Sequence, residues 1–328
     1  MNGFSLDLPQ LTDNMVLVFK SEGKSLRTVE WYRDNLIRFA HYLTEQNHSL
    51  LITDIGVADV RNFIRWLQCK TVKWEGRPNQ KNVPLAPYTV HGYVRTIKAF
   101  WSWLASEGYI DQNIMTALKP PKVPRKVIAT FTPEQIEKIL SITDRSTARG
   151  FRQYLIVLVL LDTGLRLSEL IELKVEKVDM QQSYFQIMGK GSKERIVPFG
   201  GQVRKALLKY MMRYRPEPSS PRVTQLLLSE DGFPMKGREV QAIIKRIGKR
   251  AKISGVRCSP HTFRHVFAKQ FLANGGNVFA LQRLLGHSSL EVVKLYINLL
   301  NKDITEQHRK FSPIDNWAVE MRGKFPKG

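Results

Sequence analysis

Apolar side chains recur every three to four residues through residues 1–118, which is the spacing of one face of a helix. In one such stretch the apolar positions are Trp31, Leu36, Phe39, Ala40 and Leu43. The pattern predicts helices at Leu11 to Ser21, Ser25 to Gln46, Val57 to Gln68 and Pro87 to Glu107. Residues 70–87 hold Gly76 and three prolines and are predicted to be a polar loop. The first part of the chain is therefore predicted to be a small helical bundle.

The helical periodicity breaks at residues 119–130, which we predict to be a linker between two domains, residues 1–118 and 131–328. Three prolines in this segment favour an extended chain, and four cations favour contact with phosphate. The cations predicted to contact DNA are Lys119, Lys122, Arg125 and Lys126. The alternative is a spacer that does not touch nucleic acid.

A different pattern follows the linker. Thr132 precedes Pro133, which is typical of a helix N-cap followed by proline at the first helical position. The apolar run from Tyr154 to Leu161 predicts a buried helix, and residues 183–188 and 195–199 predict a β-hairpin around a glycine-rich turn. From Gln202 onward the pattern is again mainly helical. The predicted fold class is mainly α with a small β-sheet.

Composition adds a strong positive charge to this picture. The chain has 51 Lys and Arg against 29 Asp and Glu, which gives a formal charge of +22. Residues 121–328 contribute most of it, with 37 basic and 18 acidic residues. Such a surface favours a polyanionic partner, and a hydrophobic share of 43% argues against a disordered polycation. Charge alone leaves open a ribosomal-type or chromatin protein.

The two cysteines, Cys69 and Cys258, lie far apart and belong to no CxxC or His/Cys cluster. The sequence therefore predicts neither a disulfide framework nor a zinc site, which fits a reducing cytoplasm. The N-terminus lacks a basic segment followed by an apolar one, and the longest apolar run is far shorter than a membrane span. We predict a cytoplasmic protein with no membrane partner.

Arg166 is the first residue with candidate chemistry. It follows the turn at residues 162–164 and begins a predicted short helix, whose N-terminus favours an anion. A guanidinium there can bind two non-bridging oxygens of one phosphate. The alternative is an ordinary ion pair with Glu169, and that residue could also orient Arg166 toward a phosphate.

A second pair of candidates, His261 and Arg264, lies three residues apart in SPHTFRH, behind Ser259 as a predicted N-cap. They are predicted to share one helix face and to offer an imidazole and a guanidinium to one phosphate. His265 completes a His-x-x-x-His spacing, but there is no glutamate after His261 and the arginine would repel a metal ion. We therefore predict no metal site and no cofactor.

Three further residues indicate a function only in combination with Arg166, His261 and Arg264. Lys190 lies between two glycines in the predicted hairpin turn, where a solvated lysine is the ordinary interpretation. His287 precedes a predicted capping box at Ser288-Ser-Leu-Glu291. Tyr296 follows in an apolar stretch, where a buried core tyrosine is the ordinary interpretation.

In this order and inside these motifs, Arg166, Lys190, His261, Arg264, His287 and Tyr296 resemble the catalytic set of the tyrosine recombinases, the phage-integrase family. The resemblance covers roughly residues 10 to 312. It implies an N-terminal helical core-binding, SAM-like domain and a mixed α/β catalytic domain that clamp DNA. Lys193 and Arg195 in the hairpin are further predicted DNA contacts.

The resemblance also implies the chemistry. Tyr296 would attack a phosphodiester to form a 3′-phosphotyrosyl bond, and Lys190 would protonate the departing 5′ oxygen, without metal ion or ATP. The implied partners are double-stranded recombination sites and a homotetramer that exchanges C-terminal tails near residues 301–311. Two-domain Xer enzymes and integrases of mobile elements are the most similar types.

Two other functions remain open at this point. A type IB topoisomerase uses almost the same set of residues to relax supercoiled DNA. A non-enzymatic regulator could use Phe279 to Tyr296 as a helix-turn-helix motif. The regulator would explain the charge, but it leaves Arg166, Lys190 and SPHTFRH without a role.

Overall fold

A computed structural model of the chain describes residues 7–69, 72–73, 81–82, 85–123, 129–189 and 194–286. The chain divides into two compact units, Met1–Lys126 and Val127–Gly328. The predicted linker, residues 119–130, spans this division, and its residues 124–128 lie outside the described part. The prediction of a mainly helical protein with a small β-sheet is confirmed. Within the described ranges, no helix combines the length and the apolar character needed to cross a membrane.

Among its described residues, the first unit is a bundle of four α-helices with a short 3-10 helix, Ile114–Ala117. The α-helices are α1 (Leu8–Ser21), α2 (Leu26–Glu45), α3 (Val57–Cys69) and α4 (Pro87–Ser106). Helix α1 begins three residues earlier than predicted because the Asp7 side chain accepts a hydrogen bond from the main-chain N–H of Gln10 at 2.7 Å. Ser25 caps α2, so this helix begins one residue after its predicted start.

The core of this bundle is aromatic. Phe39 on α2 packs against Phe63 on α3, with ring centroids 4.9 Å apart, and against Trp101 on α4. All three side chains are buried. The predicted polar loop after α3 is partly wrong, because β1 (Val72–Lys73) and β2 (Lys81–Asn82) pair antiparallel within it.

The second unit holds seven helices and a three-stranded sheet among its described residues. The helices are α5 (Pro133–Ser141), α6 (Ala148–Thr163), α7 (Leu167–Glu172), α8 (Gly201–Lys209), α9 (Gly237–Arg250), α10 (Pro260–Ala273) and α11 (Val278–Leu285). The strands are β3 (Val178–Asp179), β4 (Tyr184–Met188) and β5 (Glu194–Pro198). Thr132 and Gln135 form a capping box at the start of α5, which confirms the predicted N-cap.

Helix α6 is the centre of this unit and is apolar on most sides. Leu155, Ile156 and Val157 are fully buried, and the helix packs against α8 and α10. It ends at Gly164, whose φ of +60° is the left-handed conformation that glycine adopts readily. A Cβ atom at this position would also lie 2.4 Å from the Phe267 ring of α10. The turn before Arg166 therefore requires glycine.

The strands β4 and β5 form the predicted antiparallel hairpin, with Phe185 opposite Val197. Both of these side chains face the core and are buried. The short strand β3, which the pattern did not predict, pairs with β4 on its other edge. Residues 190–193 of the hairpin turn lie outside the described residues.

The described chain after the hairpin is mainly helical as predicted, except at residues 215–236. Residues 215–236 contain no helix, and isolated bridges such as Leu228 with Pro234 organise the chain there. Helix α8 continues directly into a π-helical turn, Tyr210–Tyr214. Helices α9, α10 and α11 then complete the described part of the unit.

Candidate active site

Arg166 is the N-cap residue of α7, directly after the turn that ends α6. Its main-chain N–H donates to Glu169 Oε2 and its Nη1 donates to Glu169 Oε1, both at 2.8 Å. The predicted ion pair is therefore present. The Arg166 side chain remains 34% exposed, whereas that of Glu169 is only 7% exposed. The buried Glu169 thus orients the Arg166 side chain, part of which stays at the surface.

Glu169 joins two arginines that are distant in sequence. Arg195 on β5 donates from Nη2 to Glu169 Oε2 at 2.8 Å. Burial disfavours the charged carboxylate, but hydrogen bonds from Arg195 and from the main chain and side chain of Arg166 outweigh it. The result is that the pKa of Glu169 is held below its ordinary value. The carboxylate is therefore ionised at neutral pH.

Arg264 is buried on α10, with 5% of the residue exposed. Ser259 caps this helix as predicted and Pro260 begins it. The Arg264 guanidinium donates from Nη1 to the oxygen of Gly164 at 2.7 Å and from Nη2 to the oxygen of Leu285 at 2.6 Å. Two separate turns of the chain therefore set the plane of this guanidinium.

The C-terminal end of α11 is held by three arginines. Three consecutive main-chain oxygens each accept one hydrogen bond: Leu284 from Arg195 Nε at 3.0 Å, Leu285 from Arg264 Nη2 at 2.6 Å, and Gly286 from Arg166 Nη2 at 3.0 Å. Carbonyl groups at a helix C-terminus lack partners within the helix and carry partial negative charge. The fold thus brings Arg166, Arg195 and Arg264 to one turn, and His287 is the next residue in the chain.

His261 lies on the first turn of α10 and is exposed. It borders an open pocket together with Lys245, Lys249 and Arg257, so its surroundings are positively charged. His265, one turn further, is half-buried. Burial and the nearby charges of His261 and Arg264 lower the pKa of His265, which keeps its imidazole neutral at pH 7.

The remaining predicted site residues are distributed as follows. Lys119 and Lys122 are exposed in the first unit. Outside the described residues lie Arg125, Lys126, Lys190, Lys193, His287 and Tyr296. Arg195, predicted as a DNA contact, has 13% of its side chain exposed and donates to Leu284 and Glu169. Among the described residues, no three His, Cys, Asp or Glu side chains gather as the ligands of a metal ion would.

Sequence reasoning did not find the acceptors that organise this site. The oxygens of Leu284, Leu285 and Gly286 belong to the main chain, so no residue type marks them. The signal that was available is Gly286 itself, because glycine often ends a helix in the left-handed conformation. Its φ is +61° in the structure.

Family models match both units. The model described as the Phage integrase SAM-like domain matches residues 13–120. The model described as the Phage integrase family matches residues 129–303, which include every residue of the predicted catalytic set.

Curated relatives match over nearly the whole chain. A tyrosine recombinase XerD of Staphylococcus aureus is 30% identical over 293 residues, which cover 89% of this chain and 94% of the relative. The tyrosine recombinase XerD of Listeria innocua serovar 6a is 27% identical over 307 residues, covering 92% of this chain and 98% of the relative.

Solved structures share the two-domain fold. The Tn1549 transposon integrase in complex with transposon right end DNA aligns with a TM-score of 0.68 and 20% identity, covering 95% of this chain and 100% of that one. XerH recombinase bound to its difH substrate in a post-cleavage complex aligns with a TM-score of 0.67 and 17% identity, covering 94% and 85%. On the matches to the family model and to the XerD proteins, the chain belongs to the phage integrase family, the tyrosine recombinases.

Proposed function

We propose that this protein is a site-specific recombinase that cleaves and rejoins double-stranded DNA through a covalent bond to Tyr296. The observation that carries the proposal is the convergence of Arg166 and Arg264 on the turn at Gly286. A phosphodiester carries one negative charge, and its charge increases when a nucleophile adds to phosphorus. Two guanidiniums held at one turn, directly before His287 in the sequence, are suited to stabilise that charge.

The rigidity of the two arginines supports this role. Arg264 is anchored by two main-chain oxygens, and Arg166 by a carboxylate and a main-chain oxygen. Groups fixed in advance do not have to reorganise when charge develops in the transition state. Arg166 is also one-third exposed, as a residue that meets a phosphate on DNA must be.

The proposed step conserves the energy of the phosphoester. The Tyr296 hydroxyl releases its proton to water and its oxygen attacks phosphorus. A Tyr–O–P bond forms, and the bond from phosphorus to the 5′ oxygen breaks. Lys190 gives a proton to that oxygen, while His261 and His287 hydrogen-bond the phosphate. A 5′-hydroxyl of a second strand reverses the step and rejoins the DNA, so no nucleotide hydrolysis is required.

The proposed partners are recombination sites and further copies of this chain. The aligned structures contain DNA, including a transposon end and a difH site. The positive charge of +22 supports a DNA partner for this chain, with exposed Lys119 and Lys122 as contacts. Recombination between two duplexes requires four strand cleavages, which favours a tetramer on DNA.

A covalent-trapping experiment tests the function. The target is first identified by sequencing DNA that remains attached to the protein after denaturation. A duplex of that sequence, nicked near the scissile phosphate so that the cleaved strand escapes, is then incubated with the protein. Wild type should give a protein–DNA band on a denaturing gel, and Tyr296→Phe should bind the duplex equally well but give no band.

Tyr184→Phe is the matched control, because Tyr184 is a partly exposed tyrosine of the same unit. It should form the covalent band at the wild-type rate. A band that survives in Tyr296→Phe would place the nucleophile elsewhere and overturn the assignment. Joining of strands from two different duplexes separates recombination from the topoisomerase alternative, which reseals the strand it has cut.

A further inference from the structure

Arg195 links three parts of the second unit, although the resemblance to known recombinases assigns it no catalytic part. It lies on β5, in the hairpin that carries Lys190 in its turn. Its Nη2 donates to Glu169 on α7, and its Nε donates to the oxygen of Leu284 at the end of α11. One side chain thus connects the hairpin, the carboxylate that holds Arg166, and the helix that ends before His287.

Arg195 and Arg166 share a single carboxylate. Each donates to Glu169 at 2.8 Å, Arg195 to Oε2 and Arg166 through Nη1 to Oε1. If Arg195 is removed, Glu169 keeps its charge but loses one of the two groups that set its orientation. The position of the Arg166 guanidinium, which depends on Oε1, then becomes less defined.

The turn at Gly286 is fitted to the Arg195 guanidinium. A Cβ atom at Gly286 would lie 3.0 Å from Arg195 Nη1 and 3.1 Å from its Cζ. The main chain therefore passes directly against the guanidinium at the residue before His287. Arg195 holds this turn from one side, and Arg166 holds it from another through the oxygen of Gly286.

Stability alone does not explain an arginine here. Arg195 Nη1 is buried and has no hydrogen-bond partner within the described part of the chain. A buried, incompletely paired charge is costly, and apolar residues of similar volume often serve stability as well or better. A role in contacting DNA does not explain the arginine either, because only 13% of its side chain is exposed.

We propose, building on the function proposed above, that Arg195 is a positioning residue for DNA cleavage. It sets the placement of Arg166 through Glu169, and the placement of the turn before His287 through Leu284 and Gly286. Its loss should slow phosphoryl transfer without weakening DNA binding.

The test compares Arg195→Ala and Arg195→Lys with wild type on the nicked duplex. A misplacement of about 1 Å can cost roughly 100-fold in rate, so single-turnover cleavage by Arg195→Ala should fall by about that factor. Affinity for the duplex should change less than about twofold, because only 13% of the Arg195 side chain is exposed. The lysine variant keeps the charge but cannot reach both acceptors at once, so it should restore only part of the rate.

Arg215→Ala is the matched control. The Arg215 guanidinium likewise makes two hydrogen bonds, to the main-chain oxygens of Leu226 and Gln225, at 3.2 and 2.8 Å. It makes no hydrogen bond to Arg166, Glu169 or α11 among the described contacts. This variant loses a similar number of hydrogen bonds and should cleave at the wild-type rate per folded molecule.

A second substrate separates positioning from a general structural loss. A methylphosphonate at the scissile position removes the negative charge of a non-bridging oxygen, so correct placement of Arg166 matters less. The rate deficit of Arg195→Ala should shrink on this substrate, as should that of Arg166→Ala. A merely structural defect would lower the cleavage rate on both substrates by the same factor.

Three results would overturn the positioning role: wild-type cleavage by Arg195→Ala, a loss explained by weaker DNA binding, or equal deficits on both substrates. If Arg195→Ala does not fold, Arg195→Lys answers the same questions, since it retains the charge and most of the stem. If wild type itself forms no covalent band, the proposed function fails instead, and the two failures are distinguishable.

Discussion

Arg264 donates a hydrogen bond from Nη1 to the main-chain oxygen of Gly164 at 2.7 Å, two residues before Arg166. The two residues of this bond are 100 positions apart in the chain. The contact joins the end of α6 to α10, and the left-handed turn at Gly164 makes its oxygen available. The distance between the two arginines of the site is thus set by main-chain geometry in the core and not by a flexible loop.

The first prediction concerns Glu169→Gln. The glutamine retains one acceptor oxygen but leaves Arg166 and Arg195 without a counter-charge, so the free energy of unfolding should fall by about 1–3 kcal/mol at pH 7. Urea unfolding of wild type and variant at pH 7 measures this difference.

The same pair of proteins should show a defined pH dependence. Because the folded pKa of Glu169 is lowered, the carboxylate stabilises the wild type above its ordinary pKa of 4.5. That contribution declines below pH 4.5 and is lost as the pH falls through the lowered pKa. The difference between wild type and variant should therefore shrink on acidification. A difference that stays constant from pH 7 to pH 4 would show that charge is not its origin.

The second prediction concerns Gly286→Ala. A non-glycine residue in the left-handed conformation costs about 1–2 kcal/mol, and the new Cβ would also press on the Arg195 guanidinium. The rate of covalent adduct formation should fall by more than the loss of stability alone explains. The control is Gly255→Ala, since Gly255 has a φ of +74° but nothing within 4 Å of its added Cβ. Thermal unfolding should be lowered in both variants, and single-turnover cleavage should be slowed mainly in Gly286→Ala.

These contacts also show what the sequence could and could not predict. Local signals were sufficient to predict two helix starts: Thr132 and Ser259 cap α5 and α10 as predicted. The ion pair between Arg166 and Glu169 was also predictable, because three residues separate them on one helix turn.

The sequence predicted Arg195 to contact DNA but did not predict its partners within the protein. A cation beside a glycine-rich turn is ordinarily solvated, and nothing in its neighbourhood in the sequence indicates that Glu169 and Leu284 are its partners. Those partners are 26 and 89 positions away. Only the folded chain brings them together. All three contacts at the end of α11 come from arginines whose role as caps no local pattern indicates.

The third prediction is that cleavage persists in EDTA while DNA binding weakens steeply with salt. Arg166 and Arg264 carry permanent charges where the proposed phosphate binds, so a divalent ion is not required for charge stabilisation. Binding releases counterions from DNA, and a protein with about six phosphate contacts loses roughly 1,000-fold in affinity between about 50 and 200 mM salt. Loss of cleavage on chelation that magnesium restores would contradict the proposed chemistry.

The last prediction concerns assembly through the C-terminal segment, residues 301–311, which lies outside the described residues. This segment follows Tyr296 after only four residues, so any neighbour that captures it also acts on the position of the nucleophile. We expect it to pack on an adjacent subunit when DNA is bound, which would couple cleavage to the pairing of two sites. Truncation before Asn301 should then leave binding to a single site largely intact.

The same truncation should abolish the tetrameric DNA complex and strand exchange, because each subunit would lose the segment through which a neighbour acts on the position of its Tyr296. Native gels with one and two sites measure assembly, and joining of strands from two labelled duplexes measures exchange. Lys252→Ala removes one exposed positive charge from the second unit and serves as a control for a change in charge without loss of the segment. If the truncated protein joins two duplexes at the wild-type rate, the segment acts only within its own subunit, and coupling between subunits must come from another surface.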